Sequence, residues 1–222
     1  MGENIEIGAA DGHRFKAWRA SPQGTPRGLV VIAPEIFGVN DHIRAVADSY
    51  AAEGYLTLAP ALFDRKQPDY EAGYDETAVA AGIAIISDIS FDEALRDIEA
   101  TINAGKAAGK AAVIGYCWGG TIAWLAAART VGLACAVAYY GGGIPAHRDE
   151  KPACPLMLHF GERDTHPSLA DAQAVARETP QAQAYFYAAG HGFNCDHRGS
   201  YDVDAATLAR QRTLAFLADH LG

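Results

Sequence analysis

Apolar residues fall along this chain in two alternating patterns. Five short continuous runs bounded by turn residues read as buried strands: GLVVIAP from Gly28, LTLAP from Leu56, AAVIGY from Ala111, CAVAYYG from Cys135 and PLMLHFG from Pro155. A sixth, AQAYFY from Ala182, alternates more and suits a sheet edge. Between them, apolar residues spaced by three and four predict helices over 41–53, 91–108, 119–129, 168–178 and 202–221. Strands alternating with helices imply right-handed βαβ units, and so an α/β fold with a mostly parallel central sheet of about seven or eight strands and helices on both faces. The first twenty residues depart from this rhythm. Two short segments around Ala10-Asp11-Gly12-His13 predict a hairpin added antiparallel at the sheet edge.

Composition narrows the picture. A chain of 222 residues, half of them hydrophobic, can bury one sizeable core, and no repeat, low-complexity tract or linker divides it, so residues 1–222 are expected to form one domain. The net charge of -9 comes without clusters of Lys and Arg, which argues against nucleic acid as a partner. The N-terminal stretch has neither a basic nor an apolar targeting region, and Glu6 stands where a myristoylation motif wants Ser or Thr. No apolar run reaches the roughly 18 residues that span a bilayer. A cytoplasmic monomer acting on a small molecule, without nucleic acid or membrane as partner, is the expectation. The four cysteines are too sparse for a disulfide framework and none forms a CxxC pair, so free thiols are expected rather than a zinc ribbon or a thioredoxin-type site.

In open α/β sheets ligands gather at the carboxyl ends of strands. After the third long run stands Gly-Tyr-Cys-Trp-Gly, with Gly115 and Gly119 bracketing Cys117 between a strand and a helix. That is the spacing of a nucleophile elbow, G-x-S-x-G, with sulfur in place of oxygen. The turn is sharp enough that a Cβ on either flank would strike a neighbouring element, and the helix N-terminus behind it favours a thiolate. A buried, inert thiol is the common fate of an isolated cysteine; the paired glycines argue against it here.

Asp164 follows the PLMLHFG run, where a carboxylate can orient a histidine through its Nδ1 proton or, equally, cap the next helix. His191 lies between two glycines after the last strand and can act as general base, then acid. The chain order Cys117, Asp164, His191 is the nucleophile, acid, base order of α/β-hydrolases. His191, Cys195 and His197 are too loosely spaced, and lack a fourth ligand, for a metal centre, so no metal is expected. After the first long run come Glu35 and Ile36. The loop at this place supplies one oxyanion-hole N–H and the residue after the nucleophile the other, which selects the amides of Ile36 and Trp118. Glu35 is unexpected there, because a negative charge opposes a neighbouring thiolate; as a helix cap it is less well placed than Asn40 or Asp41.

These loops together resemble the dienelactone hydrolase family, the carboxymethylenebutenolidases, within the α/β-hydrolase fold. The likeness spans nearly the whole chain and is carried by PEIFGVND with Glu35, GYCWGG with Cys117, YYG from Tyr139, GERD with Asp164 and AGHGF with His191. It implies a Cys-His-Asp triad that opens cyclic enol-lactones without metal or organic cofactor. It also implies that Glu35 holds the resting thiol and takes its proton when substrate binds.

One part of the family pattern is missing. The family grips its substrate's carboxylate with two arginines, yet here no Lys or Arg stands between Lys66 and Arg96, and Cys195 occupies the place four residues after His191. Arg198 is close but out of register. Neutral, apolar esters or lactones are therefore the expected substrates, since a desolvated carboxylate would go uncompensated. Phe37, Ile83 and Cys195 are candidates for lining the substrate pocket. The segment around Ile83, AVAAGIAII, reads equally as core or as pocket wall, and Cys195 as pocket thiol or bystander. A broad esterase or thioesterase, a promiscuous phosphotriesterase on the same site, and a non-catalytic ligand or redox sensor using Cys117 are the alternatives.

Overall fold

The computed structural model describes residues 2–222. The apolar runs form the middle of one eight-stranded sheet: β3 (Leu29–Ala33), β4 (Leu56–Pro60), β5 (Ala111–Tyr116), β6 (Cys135–Tyr139), β7 (Leu156–Gly161) and β8 (Gln183–Tyr187) run parallel. The hairpin of β1 (Glu3–Gly8) and β2 (Arg14–Ala20) pairs antiparallel with β4, giving the order β1-β2-β4-β3-β5-β6-β7-β8. β8 lies at the opposite edge, as its alternating pattern suggests.

Every residue of β3, β5, β6 and β7 is buried, because both faces are covered. Alternate side chains divide between two layers. Leu29, Val31 and Ala33 of β3 pack with α3 (Phe91–Gly105), α4 (Trp118–Arg129) and α5 (Leu169–Glu178), while Val30 and Ile32 pack with α1 (Asp41–Ala52) and α6 (Val203–Leu221). The helices begin where side chains satisfy their free N–H groups: Asn40 caps α1, Ser90 forms a capping box on α3, Ser168 caps α5 and Asp202 caps α6. These caps leave both Glu35 and Asp164 free of that duty.

One further helix, α2 (Glu76–Ser87), carries the ambiguous AVAAGIAII segment and is capped by Asp75. Only Ala78 and Gly82 of its residues are buried, so it is not a core element. Among the described residues no helix is long and apolar enough to cross a membrane, and the four cysteines are unpaired.

The strand order places the site. From β3 the chain steps to β4 on one side, and β5 then returns to pair with β3 on the other. The loops after β3 and β5 therefore diverge, opening a crevice at their carboxyl ends. Glu35 and Ile36 follow β3; Cys117 follows β5.

Candidate active site

Cys117 sits in a sharp turn between β5 and α4, with φ 55° and ψ -116°. Positive φ is costly for a residue with a side chain, and the surroundings hold it there. The Cys117 N–H donates to the Tyr139 carbonyl at 3.0 Å, and its own carbonyl accepts from Gly120 at 2.9 Å. Both flanking glycines are sterically required: a Cβ on Gly115 would lie 1.8 Å from the Gly119 carbonyl oxygen, and one on Gly119 would lie 2.1 Å from that of Ala33. The thiol remains partly exposed, unlike Cys135 and Cys195.

Two loops bring the other partners. After β7 the chain is tied to the loop after β8 by Glu162 N–H to the Tyr187 carbonyl at 2.7 Å and Arg163 N–H to the Ala189 carbonyl at 2.9 Å. This stitching sets Asp164 against His191: the Asp164 carboxylate meets His191 Nδ1 at 2.8 Å, and its other oxygen accepts the His166 N–H at 2.7 Å. The Asp164 side chain is 1% exposed. Burial disfavours a charged His191 ring, but the bond to Asp164 and the adjacent Cys117 sulfur outweigh it and raise its pKa to about 10. Cys117, His191 and Asp164 thus form one connected series.

Glu35 is 1% exposed. One carboxylate oxygen accepts a hydrogen bond from Arg198 Nη1 at 3.3 Å; the other, Oε2, is buried without a hydrogen-bond partner. The guanidinium also stacks over the rings of Phe37 and Tyr74 at 5.7 and 5.8 Å. Arg198, out of register with the family's arginines in the sequence, therefore still reaches the site. The loop after His191 folds back through the bonds Cys195 N–H to Gly192 and Arg198 N–H to Cys195, so sequence register does not set where Arg198 goes. Gly192, at φ 73°, makes this approach feasible, since a Cβ there would meet Arg198 Nη1 at 2.5 Å.

A cavity of about 450 Å³ opens over Cys117 and His191. Ile36, Phe37, Ile83, Ile86, Phe91 and Trp118 give it an apolar wall, and Arg198 is the cation at its edge. Ile36 and Trp118 border it, and among the described residues neither backbone N–H donates a hydrogen bond within the chain. Phe37 and Ile83 line the cavity as the sequence suggests. Cys195 does not: its thiol is fully buried, and burial together with the Glu35 charge pushes its pKa up to about 11. Trp124 is a packing residue whose indole N–H donates to the His147 carbonyl.

Three nearby residues were not legible from the motifs. Arg198 is reached only through the loop's fold. Tyr140, at φ 38°, buries its hydroxyl unpartnered near Glu35, Cys117 and Cys195. Gly82 sets α2 against the site, since a Cβ there would lie 2.1 Å from the Ile36 carbonyl oxygen. A glycine inside an otherwise apolar helical stretch was the available signal for the last.

Comparison with known proteins bears on the family and the fold. The model of the dienelactone hydrolase family matches residues 15–221. The chain is 32% identical to a carboxymethylenebutenolidase of Pseudomonas putida, over 97% of this chain and 96% of that one. It is 30% identical to carboxymethylenebutenolidase 1 of Cupriavidus pinatubonensis, over 98% and 97%. Among solved structures, a Klebsiella pneumoniae protein provisionally named a dienelactone hydrolase superposes with a TM-score of 0.84 at 27% identity, covering 98% of this chain and 99% of that one.

Proposed function

Since the chain belongs to the dienelactone hydrolase family and is a hydrolase of lactones and esters, we propose that Cys117 is its nucleophile, working with His191 and Asp164 through an acyl-thioester. The observation that carries this reading is the strained elbow that holds Cys117 beside a His191 already oriented by Asp164 at 2.8 Å. The four unpaired cysteines fit a reducing, cytoplasmic setting.

On substrate binding the Cys117 thiol passes its proton to the Glu35 carboxylate. The buried, unpartnered Oε2 supports this, as an acceptor still open to a proton. The thiolate attacks the carbonyl carbon, and the Ile36 and Trp118 amides receive the oxyanion, each such donor being worth about 3 kcal/mol. Collapse expels the alkoxide, which His191 protonates, and leaves the thioester. Esterified sulfur carries no charge, so part of what raises the His191 pKa is lost at this stage. The ring then more readily takes a proton from water, which hydrolyses the thioester while Asp164 steadies the imidazolium.

The cavity favours neutral, apolar acyl or aryl groups. Its wall is apolar, and Arg198 is engaged by Glu35, so a substrate carboxylate would have to take the guanidinium from a buried partner. An uncharged short-chain aryl ester is expected to show a higher kcat/KM than a carboxylated dienelactone; the reverse order would overturn this preference. Cys117→Ala tests the nucleophile. Its kcat on an activated ester should fall by about five to six orders of magnitude, and the acyl adduct trapped by mass spectrometry should disappear. Hydrolysis that survives the substitution would refute the assignment.

A further inference from the structure

At Glu35, three side chains from different segments converge. A carboxylate oxygen of Glu35, a ring nitrogen of His42 and the sulfur of Cys195 all lie within 4.8 Å of one another. The three residues are 1%, 4% and 0% exposed. Glu35 Oε2 and His42 Nε2 are both buried without a hydrogen-bond partner. His42 Nδ1 meets Asp196 Oδ1 at 3.0 Å. With Nδ1–H donating to that carboxylate, Nε2 carries a lone pair, which is the second-sphere arrangement that orients metal-bound histidines. Two unsatisfied acceptors beside a thiol are a poor interior for a protein and a good one for a cation.

We propose that Glu35, His42 and Cys195 bind a zinc-class divalent cation, and that its occupancy withholds Glu35 from the catalytic thiol. The inhibitory half of this rests on the activating role given to Glu35 above. Mixed oxygen, nitrogen and sulfur donors suit zinc rather than magnesium or calcium, which prefer oxygen alone. Ligand distances of about 2.0–2.3 Å need only a modest inward movement from the present separation. Binding exchanges the Cys195 S–H bond for a sulfur–metal bond and sends one proton to solvent; nothing is oxidised or reduced. The charges then balance: carboxylates of Glu35 and Asp196 and the Cys195 thiolate offset the divalent ion and Arg198. A cleft of about 270 Å³ borders His42, together with Asn194 and Asp196.

The test is calorimetric titration of chelator-treated Cys117→Ala protein with zinc chloride, which removes the nucleophile as a competing ligand. One equivalent should bind. Adding Cys195→Ser or His42→Gln should weaken binding at least about tenfold, and so should Asp196→Asn, a surface change that leaves the core intact. Cobalt should give a thiolate-to-metal absorption band in Cys117→Ala that the Cys195→Ser double variant lacks. Absent binding, or binding undiminished in the double variants, would overturn the site. In the activity arm, zinc should inhibit the wild type reversibly and spare Cys195→Ser, whose metal-free rate should match the wild type. Equal inhibition of both would assign the effect to Cys117 and overturn the proposal. Binding as expected without inhibition would keep the site and refute the role of Glu35 as thiol activator.

Discussion

Helices α4 and α2 are both twelve residues long, both hold four alanines, and both border the cavity over Cys117, yet they are held in opposite ways. Ten residues of α4 are buried, against two of α2. α4 is wedged between layers, with Gly119 against the Ala33 carbonyl and Gly120 against that of Tyr139. α2 touches the loop after β3 through Gly82 and leaves Ile83 half exposed at the cavity. The proposed nucleophile, Cys117, would tolerate little displacement, and it stands at the start of the element that packing over-determines. A wall that meets varied substrates can rest on one with few buried contacts.

The fixed half should break hardest at its charges. Asp164→Asn preserves shape but removes the carboxylate that orients His191, and kcat should fall by about 10³- to 10⁴-fold. The same change should alter the pH dependence of stability. Because the His191 pKa stands at about 10, above its ordinary 6.5, the stability it contributes is fully present below pH 6.5 and is lost as pH rises through about 10. The Tm gap between wild type and Asp164→Asn should therefore be widest near neutrality and below, and should narrow toward alkaline pH. A gap that is constant with pH would mean that Asp164 acts by packing alone.

One substitution made in both helices compares them directly. Gly119→Ala puts a methyl group 2.1 Å from a carbonyl of the central strand, and neither side can move. Destabilisation of about 3 kcal/mol is expected from overpacking, with about a 100-fold loss of kcat as the elbow shifts. Gly82→Ala makes an equally short contact with Ile36, but α2 can slide outward, and alanine gains about 1 kcal/mol of helix propensity over glycine. Stability should change by less than about 1 kcal/mol, while kcat/KM falls roughly tenfold through the displaced Ile36 amide. Equal losses of Tm in the two variants would show that α2 is as firmly held as α4.

The same contrast explains what could be read from the chain. The strands and elbow were legible because burial on both faces leaves continuous apolar runs, and because Gly115 and Gly119 answer a local steric demand. Asp164 and His191 were legible by position after strands. The role of α2 was half legible: Ile83 stood as a pocket candidate, but a segment apolar on all sides reads equally as core, whereas here it faces a cavity. Arg198 and His42 escaped for another reason. Their approach to Glu35 depends on how a loop doubles back and on which helix face turns inward, and neither leaves a period in the sequence.

The smallest effect separates packing from recognition. Ile83 is 50% exposed and Ile122 of α4 is fully buried. Truncating Ile122 to alanine removes three buried carbons and should cost about 2–5 kcal/mol. Truncating Ile83 should shift stability by no more than about 0.5 kcal/mol. Its cost should appear instead in kcat/KM for long-chain aryl esters, lowered about three- to tenfold by the apolar contact withdrawn from substrate. An acetate ester, too short to reach α2, should be turned over as before. If Ile83→Ala slows both esters alike, α2 positions the catalytic groups and does not select the substrate.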